Sequence, residues 1–361
     1  MDMDNPSGQL MAATLDNAPG TRFPQFHSAG CLEIPSCSVI IPIYNRHEWL
    51  ETCLQSIARS HSNPSQIEVL VIDDGSLDQQ KERIYAIAAA YQCHYQRLPF
   101  NQGVSAARNA GMARARASWV KFLDSDDQLV AGSLQKEISI MEATHVDCLV
   151  SGYLVRQEDR GKQSLHFYPP MPYTNTNPFD ALLSGFGAPT PSVLYRRSIL
   201  ANVRWSPTVR HPDDWVFIIT VLKQLPRLIT WQEPTFIWCN HDGPRQSNVP
   251  LLEYCRSRQL ILEDIWAFVL KHGAATDQRA HCQCDCIFRD IIIAYREDQD
   301  LYKSILKRIE SLYPGFVPSV RQAGFIAVVL VRVFGLRRYV PIREHLKALA
   351  LVLIAPFTPQ V

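Results

Sequence analysis

Several features that would place this chain in a specialised class are missing from its 361 residues. The formal net charge is +1, so no global charge points to nucleic acid or to an acidic partner. The first 35 residues lack a basic start and a long apolar core, and no signal peptide is predicted there. Neither apolar run near the C-terminus, residues 325–331 or 348–355, reaches the ~20 residues that span a bilayer. We therefore expect a cytoplasmic protein, with residues 1–35 as an unstructured lead-in.

The ten cysteines also lack the spacing of a typical metal site. Most of them, for instance Cys37, Cys53 and Cys148, lie in apolar contexts that indicate small buried residues. The segment His281–Cys286 has no CxxC pair, so a helix is favoured there over a zinc site. No G-x-G-x-x-G motif follows the first predicted strand, which disfavours a dehydrogenase.

The most informative stretch is 118–127, an apolar strand that ends in Asp124, Asp126 and Asp127. Crowded carboxylates repel one another and are pushed toward protonation, and a hard divalent cation resolves that conflict. Asp124 and Asp126 are two residues apart, so in extended backbone both side chains leave on the same side. The alternative interpretation is a solvated acidic turn that caps the following helix.

Strands and helices alternate before this turn. Strands are predicted at 38–43, 67–72 and about 93–98, and helices at about 46–59, 78–91 and 104–116. This alternation predicts an α/β fold with a mostly parallel sheet covered by helices. The carboxyl ends of parallel strands share one edge, where ligands bind. Tyr44-Asn45, Asp73-Asp74 and Asp124–Asp126 are therefore expected to converge.

Four motifs in the chain match one enzyme family in order and spacing. They are Ser38-Val-Ile-Ile-Pro-Ile-Tyr-Asn45, Val71-Ile-Asp-Asp-Gly-Ser76, Asn101-x-Gly-Val-Ser-x-Ala-Arg-Asn-x-Gly111 and Phe122-Leu-Asp-Ser-Asp-Asp127. Together they resemble the family 2 glycosyltransferases, whose catalytic domain has the GT-A fold. The resemblance implies a GT-A domain over residues 36–248, and the helical pattern that follows predicts a helical C-terminal region over 249–361. It also implies an inverting transfer of a sugar from a nucleotide diphosphate sugar, a UDP-sugar, to a hydroxyl of a glycan, polysaccharide or lipid-linked saccharide.

The resemblance assigns nucleotide contacts to residues of these motifs. They are Pro42, Tyr44, Asn45, Asp74, Asn101, Gly103, Arg108 and Ser125. Tyr44 would offer an aromatic face to the base, and Asp74 would accept hydrogen bonds from it. Arg108 would lie in the segment that closes around the diphosphate. The alternatives are a turn residue that caps a helix for Asp74 and a surface ion pair for Arg108.

The resemblance also assigns a metal site and a general base. Asp124 and Asp126 would hold Mn²⁺ or Mg²⁺ against the phosphates, and His241 would be a further ligand. Asp214 aligns with the residue that takes the proton from the acceptor hydroxyl. An acid before an apolar helix is also a common N-cap, an interpretation that suits Asp213 and stays open for Asp214. The alternative for His241 is an ordinary loop histidine.

The tail and two rival functions remain open at this stage. Apolar runs flanked by basic residues suit peripheral membrane contact through residues 321–357, and a helical bundle packed on the catalytic domain is the alternative. A nucleotidyltransferase would need a Gly-rich, basic phosphate loop after the first strand, where Tyr44-Asn45-Arg46 stands. A noncatalytic sugar-nucleotide binding protein is the other rival, and no nucleic-acid partner is expected.

Overall fold

The structure of the protein is a computed structural model, which describes residues 24–27, 33–159, 162–170, 177–183, 188–208, 212–239, 249–319 and 325–344. The chain divides into two compact units. The first consists of residues 1–176, 188–209 and 213–243, and the second of residues 177–187, 210–212 and 244–361. Residues 177–187 thus lie in the second unit, although the chain on both sides of them belongs to the first.

Over the residues that the structure describes, the first unit is built on a nine-stranded mixed sheet. Its strands are β1 (Cys37–Ile43), β2 (Ile67–Asp73), β3 (His94–Arg97), β4 (Trp119–Phe122), β5 (Gln128–Leu129), β6 (Cys148–Asp159), β7 (Lys162–Tyr168), β8 (Val193–Arg196) and β9 (Leu228–Cys239). Their order is β3-β2-β1-β4-β8-β6-β9-β5, and β7 pairs with β6. The pairs among β3, β2, β1 and β4 are parallel, whereas β8 is antiparallel to both β4 and β6. The predicted α/β sheet is confirmed, with a parallel half and a mostly antiparallel half.

Helices cover this sheet because the intervening sequences bury one apolar face. They are α1 (His47–Ser60), α2 (Asp78–Ala90), α3 (Val104–Arg114), α4 (Ser133–Thr144) and α6 (Asp213–Leu222). Helix α1 places Leu50, Leu54 and Ile57 in the main core, beside the buried Val and Ile residues of β1 and β2. In α3, a Cβ at Gly111 would lie 2.4 Å from Ile40 Cγ2. The helix can therefore pack this closely on β1 only because residue 111 has no side chain.

Strand β4, which leads into the acidic turn, is fixed by a fully buried ion pair. Lys121 on β4 donates to both carboxylate oxygens of Glu137 on α4, at 2.8 and 2.9 Å. The Ser151 hydroxyl also donates to Glu137, at 3.4 Å. Buried charges persist only when they are paired in this way. The pair therefore holds β4 and α4 in a defined register.

Residues 156–178 mix charged residues, Pro and Asn, a composition that predicts an irregular excursion of the chain on the acceptor side. The structure corrects this expectation for residues 156–159 and 162–168. Instead β6 continues to Asp159 and forms an antiparallel hairpin with β7. The ring of Tyr153 stacks between Tyr168 and Phe236, with centroids 5.3 and 5.4 Å apart. Aromatic pairs across strands stabilise a sheet, and here they outweigh the polar composition that suggested a loop.

The second unit is helical within the described residues. Its elements are α5 (Pro178–Leu183), α7 (Leu251–Lys271), α8 (Asp277–Phe288), α9 (Ile291–Glu297), α10 (Gln299–Leu312) and α11 (Phe325–Phe334), and residues 336–344 are also helical. Arg279 donates to Asp180 at 2.7 Å and the Cys286 thiol donates to the Leu183 carbonyl at 3.2 Å, which joins α5 to α8. The segment His281–Cys286 lies in α8, as predicted.

The tail contains ion pairs as well as apolar residues. Arg337 pairs with Glu310 at 2.6 Å, and Arg343 pairs with Glu344 at 2.9 Å. Within the residues that the structure describes, every helix is too short or too polar to cross a membrane. The second apolar run, residues 348–355, lies outside the described residues. Membrane contact through residues 321–357 stays a prediction.

Candidate active site

Three neighbouring parallel strands, β2, β1 and β4, end at one edge of the sheet. The Asp74 amide donates to the Ile43 carbonyl at 2.9 Å, and the Leu123 amide donates to the Ile40 carbonyl at 3.0 Å. These bonds hold the segments that follow the strands against each other. The expected convergence of polar residues at this edge is therefore confirmed.

The acidic turn after β4 is closed by its own backbone and tied to β9. The Asp127 amide donates to the Asp124 carbonyl at 3.0 Å, and the Asp127 carboxylate accepts from the Cys239 amide at 2.9 Å. The alternative that the acidic turn caps the next helix is wrong for Asp127, its last acid, because α4 begins at Ser133, after Gly132 with φ +70°. Ser125 is buried within the turn.

Each of the two predicted metal ligands pairs with an arginine. Asp124 Oδ1 accepts from Arg108 Nη2 at 2.8 Å, and Asp126 Oδ2 accepts from Arg46 Nη1 at 2.8 Å. Desolvation raises the pKa of Asp124, although the Arg108 guanidinium opposes that shift. The sequence alone suggests no role for Arg46, because Asp126 lies 80 residues away from it in the chain.

The acids at the start of α6 join the same cluster. Asp213 Oδ2 accepts from Arg108 Nη1 at 2.8 Å, so one buried guanidinium bridges the acidic turn and α6. Asp213 is itself the first residue of α6, and its carboxylate faces Arg108, which corrects its interpretation as a helix cap. Asp214 Oδ1 accepts from the Trp215 amide at 2.7 Å. Burial and the neighbouring Asp213 raise the pKa of Asp214 to about 6.

An aromatic support holds Arg108 in place. The guanidinium carbon of Arg108 lies 4.3 Å from the ring centroid of Trp205, and that ring stacks on Phe217 at 3.9 Å. Asn109 donates to the Trp205 carbonyl and accepts from the Trp205 amide, both at 2.9 Å. Asn109 belongs to one of the four motifs, but no signal in the sequence pairs it with Trp205. Arg108 is thus buried, and the surface ion pair considered for it is wrong.

The loops after β1 and β2 support each other. The Asn45 amide donates to the Ser76 hydroxyl at 2.9 Å, and the Leu77 amide donates to Asn45 Oδ1 at 2.9 Å. Asn45 adopts φ +53°, a left-handed conformation that asparagine tolerates better than most residues. Pro42 is buried in β1, whereas Tyr44 is 41% exposed beside it. Tyr44 is therefore open to a planar ligand.

Asp74 organises the segment that precedes α3. Its two oxygens accept from the amides of Gln102 and Gly103, each at 2.8 Å, and burial raises its pKa. Asn101 is exposed at the start of this segment. A carboxylate has about four lone-pair sites, so these two bonds leave capacity for a ligand. Nucleotide binding by Asp74, Asn101 and Gly103 stays a prediction.

The turn after β2 has a glycine where its backbone lies close to the backbone of residues 100–101. Gly75 has φ +75°, and a Cβ there would lie 2.4 Å from the carbonyl carbon of Phe100. Asp73 supports the same turn by accepting from the Ser76 amide at 2.8 Å and from the Tyr95 hydroxyl at 2.7 Å. The segment 101–103 is therefore pressed directly against the end of β2.

The charges of the cluster fit a divalent cation. Four carboxylates, Asp124, Asp126, Asp213 and Asp214, meet two guanidinium groups, Arg46 and Arg108. Full ionisation would leave two negative charges in this set, and Mg²⁺ or Mn²⁺ takes carboxylate oxygens together with phosphate oxygens. Among the described residues, no group of three His, Cys, Asp or Glu side chains is placed for a metal. His241 lies outside those residues, and its ligation stays a prediction.

Residues 38–204 match the model of glycosyl transferase family 2. The chain carries a family 2 glycosyltransferase domain. An uncharacterized glycosyltransferase of Haemophilus influenzae is 29% identical over 204 residues, which cover 55% of this chain and 77% of that protein. The uncharacterized glycosyltransferase EpsJ of Bacillus subtilis is 27% identical over 57% of this chain and 61% of its own length. The glycosyltransferase AglE of Haloferax volcanii is 30% identical over 47% of this chain, and the match spans 55% of AglE.

The fold of the family 2 domain and its C-terminal extension recurs in a solved structure. S. aureus TarS 1-349 in complex with UDP-GlcNAc has a TM-score of 0.60 to this chain, covers 87% of it and 92% of its own length, and is 16% identical. The predicted GT-A fold is thereby confirmed, and the family model together with the curated relatives confirms the glycosyltransferase class. The family match favours a glycosyltransferase over the rival nucleotidyltransferase.

Proposed function

We propose that the family 2 domain transfers a sugar from a nucleotide diphosphate sugar to a hydroxyl of a glycan, polysaccharide or lipid-linked saccharide, with inversion at the anomeric carbon. The observation that carries the proposal is the double ion pair of Arg108, which joins Asp124 of the acidic turn to Asp213, next to Asp214. The exposed ring of Tyr44 at the same edge suits a nucleoside base. A UDP-sugar is the proposed donor, in keeping with the UDP-GlcNAc bound to TarS.

Asp214 is the proposed general base. It accepts the proton of the acceptor hydroxyl as that oxygen attacks the anomeric carbon, while the bond from this carbon to the diphosphate oxygen breaks. Its pKa of about 6 keeps it ionised at neutral pH and basic enough to take a proton. Asp124 and Asp126 would hold Mn²⁺ or Mg²⁺. When bound, the ion supplies Lewis-acid stabilisation of the departing diphosphate.

Replacement of one metal ligand tests this function. Asp126→Ala should weaken UDP binding in the presence of Mn²⁺ by at least about tenfold and abolish transfer, because a ligand is lost. Binding is measured by calorimetry with and without Mn²⁺, and transfer with a panel of nucleotide sugars. Asp78→Ala is the matched control, since it removes an exposed carboxylate at the start of α2. Equal UDP affinity with and without metal in wild type, Asp126→Ala and Asp78→Ala would refute the metal assignment. Metal-dependent UDP binding by wild type without turnover of any donor would favour a noncatalytic binding protein.

A further inference from the structure

We propose that a cavity beside the start of β4 binds an organic phosphate that carries a short apolar portion. The cavity has a volume of about 290 Å³ and lies between the last turn of α3 and the segment 197–204, which follows β8. It is separate from the candidate active site, because the acidic turn follows the opposite end of β4. The inference goes beyond the proposed function and does not depend on it.

The floor of the cavity is apolar. It is formed by side chains of α3, of the linker after it, of β4 and of segment 197–204, namely Met112, Ala113, Ala115, Val120, Leu200 and Ala201. Among the residues that the structure describes, no acidic side chain lines the cavity. Burial of apolar surface on such a floor favours a ligand with a hydrocarbon portion over a bare inorganic ion.

Two arginines line the same cavity and are oriented by backbone carbonyls. Arg197 Nε donates to the Ala117 carbonyl at 2.8 Å. Arg204 Nη1 donates to the carbonyls of Ala201 and Val203, at 3.1 and 2.7 Å. Within the described ranges of the chain, neither arginine pairs with a carboxylate. A guanidinium has five N–H donors, so both side chains retain donors and an uncompensated charge for a ligand.

The charge at this cavity suits a phosphate group. Two nearby arginines of the chain already have acidic partners, since Arg116 pairs with Glu68 at 2.7 Å and Arg196 pairs with Asp147 at 3.2 Å. The two guanidinium groups that line the cavity match the charge of about −1.5 to −2 that a phosphate monoester carries at pH 7. A guanidinium also binds phosphate oxygens through two parallel hydrogen bonds. A phosphate head with an apolar chain therefore complements both the arginines and the floor.

The two walls of the cavity are fixed to each other without a ligand. Asn109, one turn before Met112 on α3, donates to the Trp205 carbonyl and accepts from the Trp205 amide, both at 2.9 Å. The guanidinium carbon of Arg108, on the same helix, lies 4.3 Å from the centroid of the Trp205 ring. Arg204 directly precedes Trp205, so these contacts anchor the end of segment 197–204 to α3. A site that is already formed loses less conformational entropy when a ligand binds.

Alkyl phosphates test the proposal on the full chain. Hexyl phosphate should bind more tightly than butyl phosphate by about tenfold in calorimetry, because two more methylene groups are buried. Hexanol lacks the phosphate and inorganic phosphate lacks the chain, so each should bind at least about tenfold more weakly than hexyl phosphate. Equal affinities for hexyl phosphate and inorganic phosphate would overturn the proposal, as would the absence of any binding of hexyl phosphate.

Substitutions assign that binding to the cavity. Arg197→Gln and Arg204→Gln should each weaken hexyl phosphate binding by about tenfold, because each removes a charged donor. Arg197→Lys keeps the charge without the planar fork, so its affinity should lie between those of wild type and Arg197→Gln. Arg59→Gln, on the exposed face of α1, is the matched control and should leave the affinity unchanged. Hexyl phosphate binding that persists unchanged in both Gln variants would overturn the assignment.

A thermal unfolding midpoint equal to that of wild type verifies that each variant is folded. If Arg197→Gln lowers that midpoint, Arg204→Gln decides the test, because Arg204 bonds carbonyls of its own segment.

Vesicles distinguish two sources of such a ligand, since phosphatidic acid in a bilayer and a soluble organic phosphate present the same chemistry. If the lipid is the source, Arg204→Gln should sediment less than Arg59→Gln with phosphatidylcholine vesicles that contain phosphatidic acid. Membrane contact through residues 321–357 would affect both variants equally. Equal sedimentation of the two variants, together with hexyl phosphate binding by wild type, would assign the cavity to a soluble organic phosphate.

Discussion

The adjacent acids Asp213 and Asp214 have different surroundings, and their substitution should have different effects. Asp214→Asn keeps the size of the side chain but cannot take a proton, so turnover at saturating donor should fall by about 10²–10⁴-fold. Donor affinity should stay near that of wild type, because the carboxylate is assigned to the acceptor. Turnover is measured by release of nucleoside diphosphate, and donor affinity by calorimetry.

The pH dependence of turnover gives a second measure of the same variant. Protonation removes the base, so wild-type turnover should be retained above and lost below a pH of about 6, the raised pKa of Asp214. The residual activity of Asp214→Asn should lack that acidic limb. Asp213→Asn should keep most turnover and lose about 1–3 kcal/mol of unfolding free energy, since Arg108 loses one charged partner. An active Asp214→Asn beside an inactive Asp213→Asn would identify Asp213 as the base instead.

Single residues of the site were predictable from the sequence where the motif is local. Asp124, Asp126 and Asp214 stand in short patterns that can be compared with a family. Arg46 and the aromatic support of Arg108 were not predictable, because their contacts link residues 80 and 96 positions apart. Such pairs depend on the relative placement of whole elements, which periodicity does not encode.

At the scale of elements, the junction between β2 and the segment before α3 depends on close backbone contact. Gly75→Ala should lower the unfolding free energy by more than Gly132→Ala, measured by urea denaturation. Both glycines have similar φ, +75° and +70°, so both variants incur the strain of about 1–2 kcal/mol for a left-handed residue. Only at Gly75 would the new Cβ also meet backbone, at 2.4 Å, which adds about 1–3 kcal/mol of overpacking. Equal losses in the two variants would show that segment 100–103 moves aside without cost.

The order of strands and helices was the most predictable part of the fold. Predicted helices at about 46–59 and 78–91 correspond to α1 (His47–Ser60) and α2 (Asp78–Ala90), because their apolar spacing is regular. The β6–β7 hairpin was missed because its stability comes from stacking of Tyr153 with rings on two other strands. Local composition does not report such contacts.

At the scale of the whole molecule, the second unit includes a helix from the middle of the chain. Helix α5 buries Ala181, Leu182 and Leu183, each at most 1% exposed. A chain ended at residue 248 keeps α5 but loses α7 and α8, so these side chains should become exposed and the protein should aggregate in size-exclusion chromatography. Leu182→Ser with Leu183→Ser in the same shortened chain should restore a monodisperse peak. A shortened chain that is monodisperse without these substitutions would contradict the dependence of α5 on α7 and α8.

The ion pair between Arg108 and Asp213 has a consequence for how the site forms during synthesis of the chain. The two residues are separated by 105 positions, so synthesis at ~5–20 residues per second delivers the acid roughly 5–20 s after the arginine. During that interval the nascent chain holds the acidic turn and Arg108, but it lacks α6 and with it Asp214. Competence for catalysis therefore arises late in synthesis, since no nascent chain that lacks α6 has the proposed base together with Asp124 and Asp126.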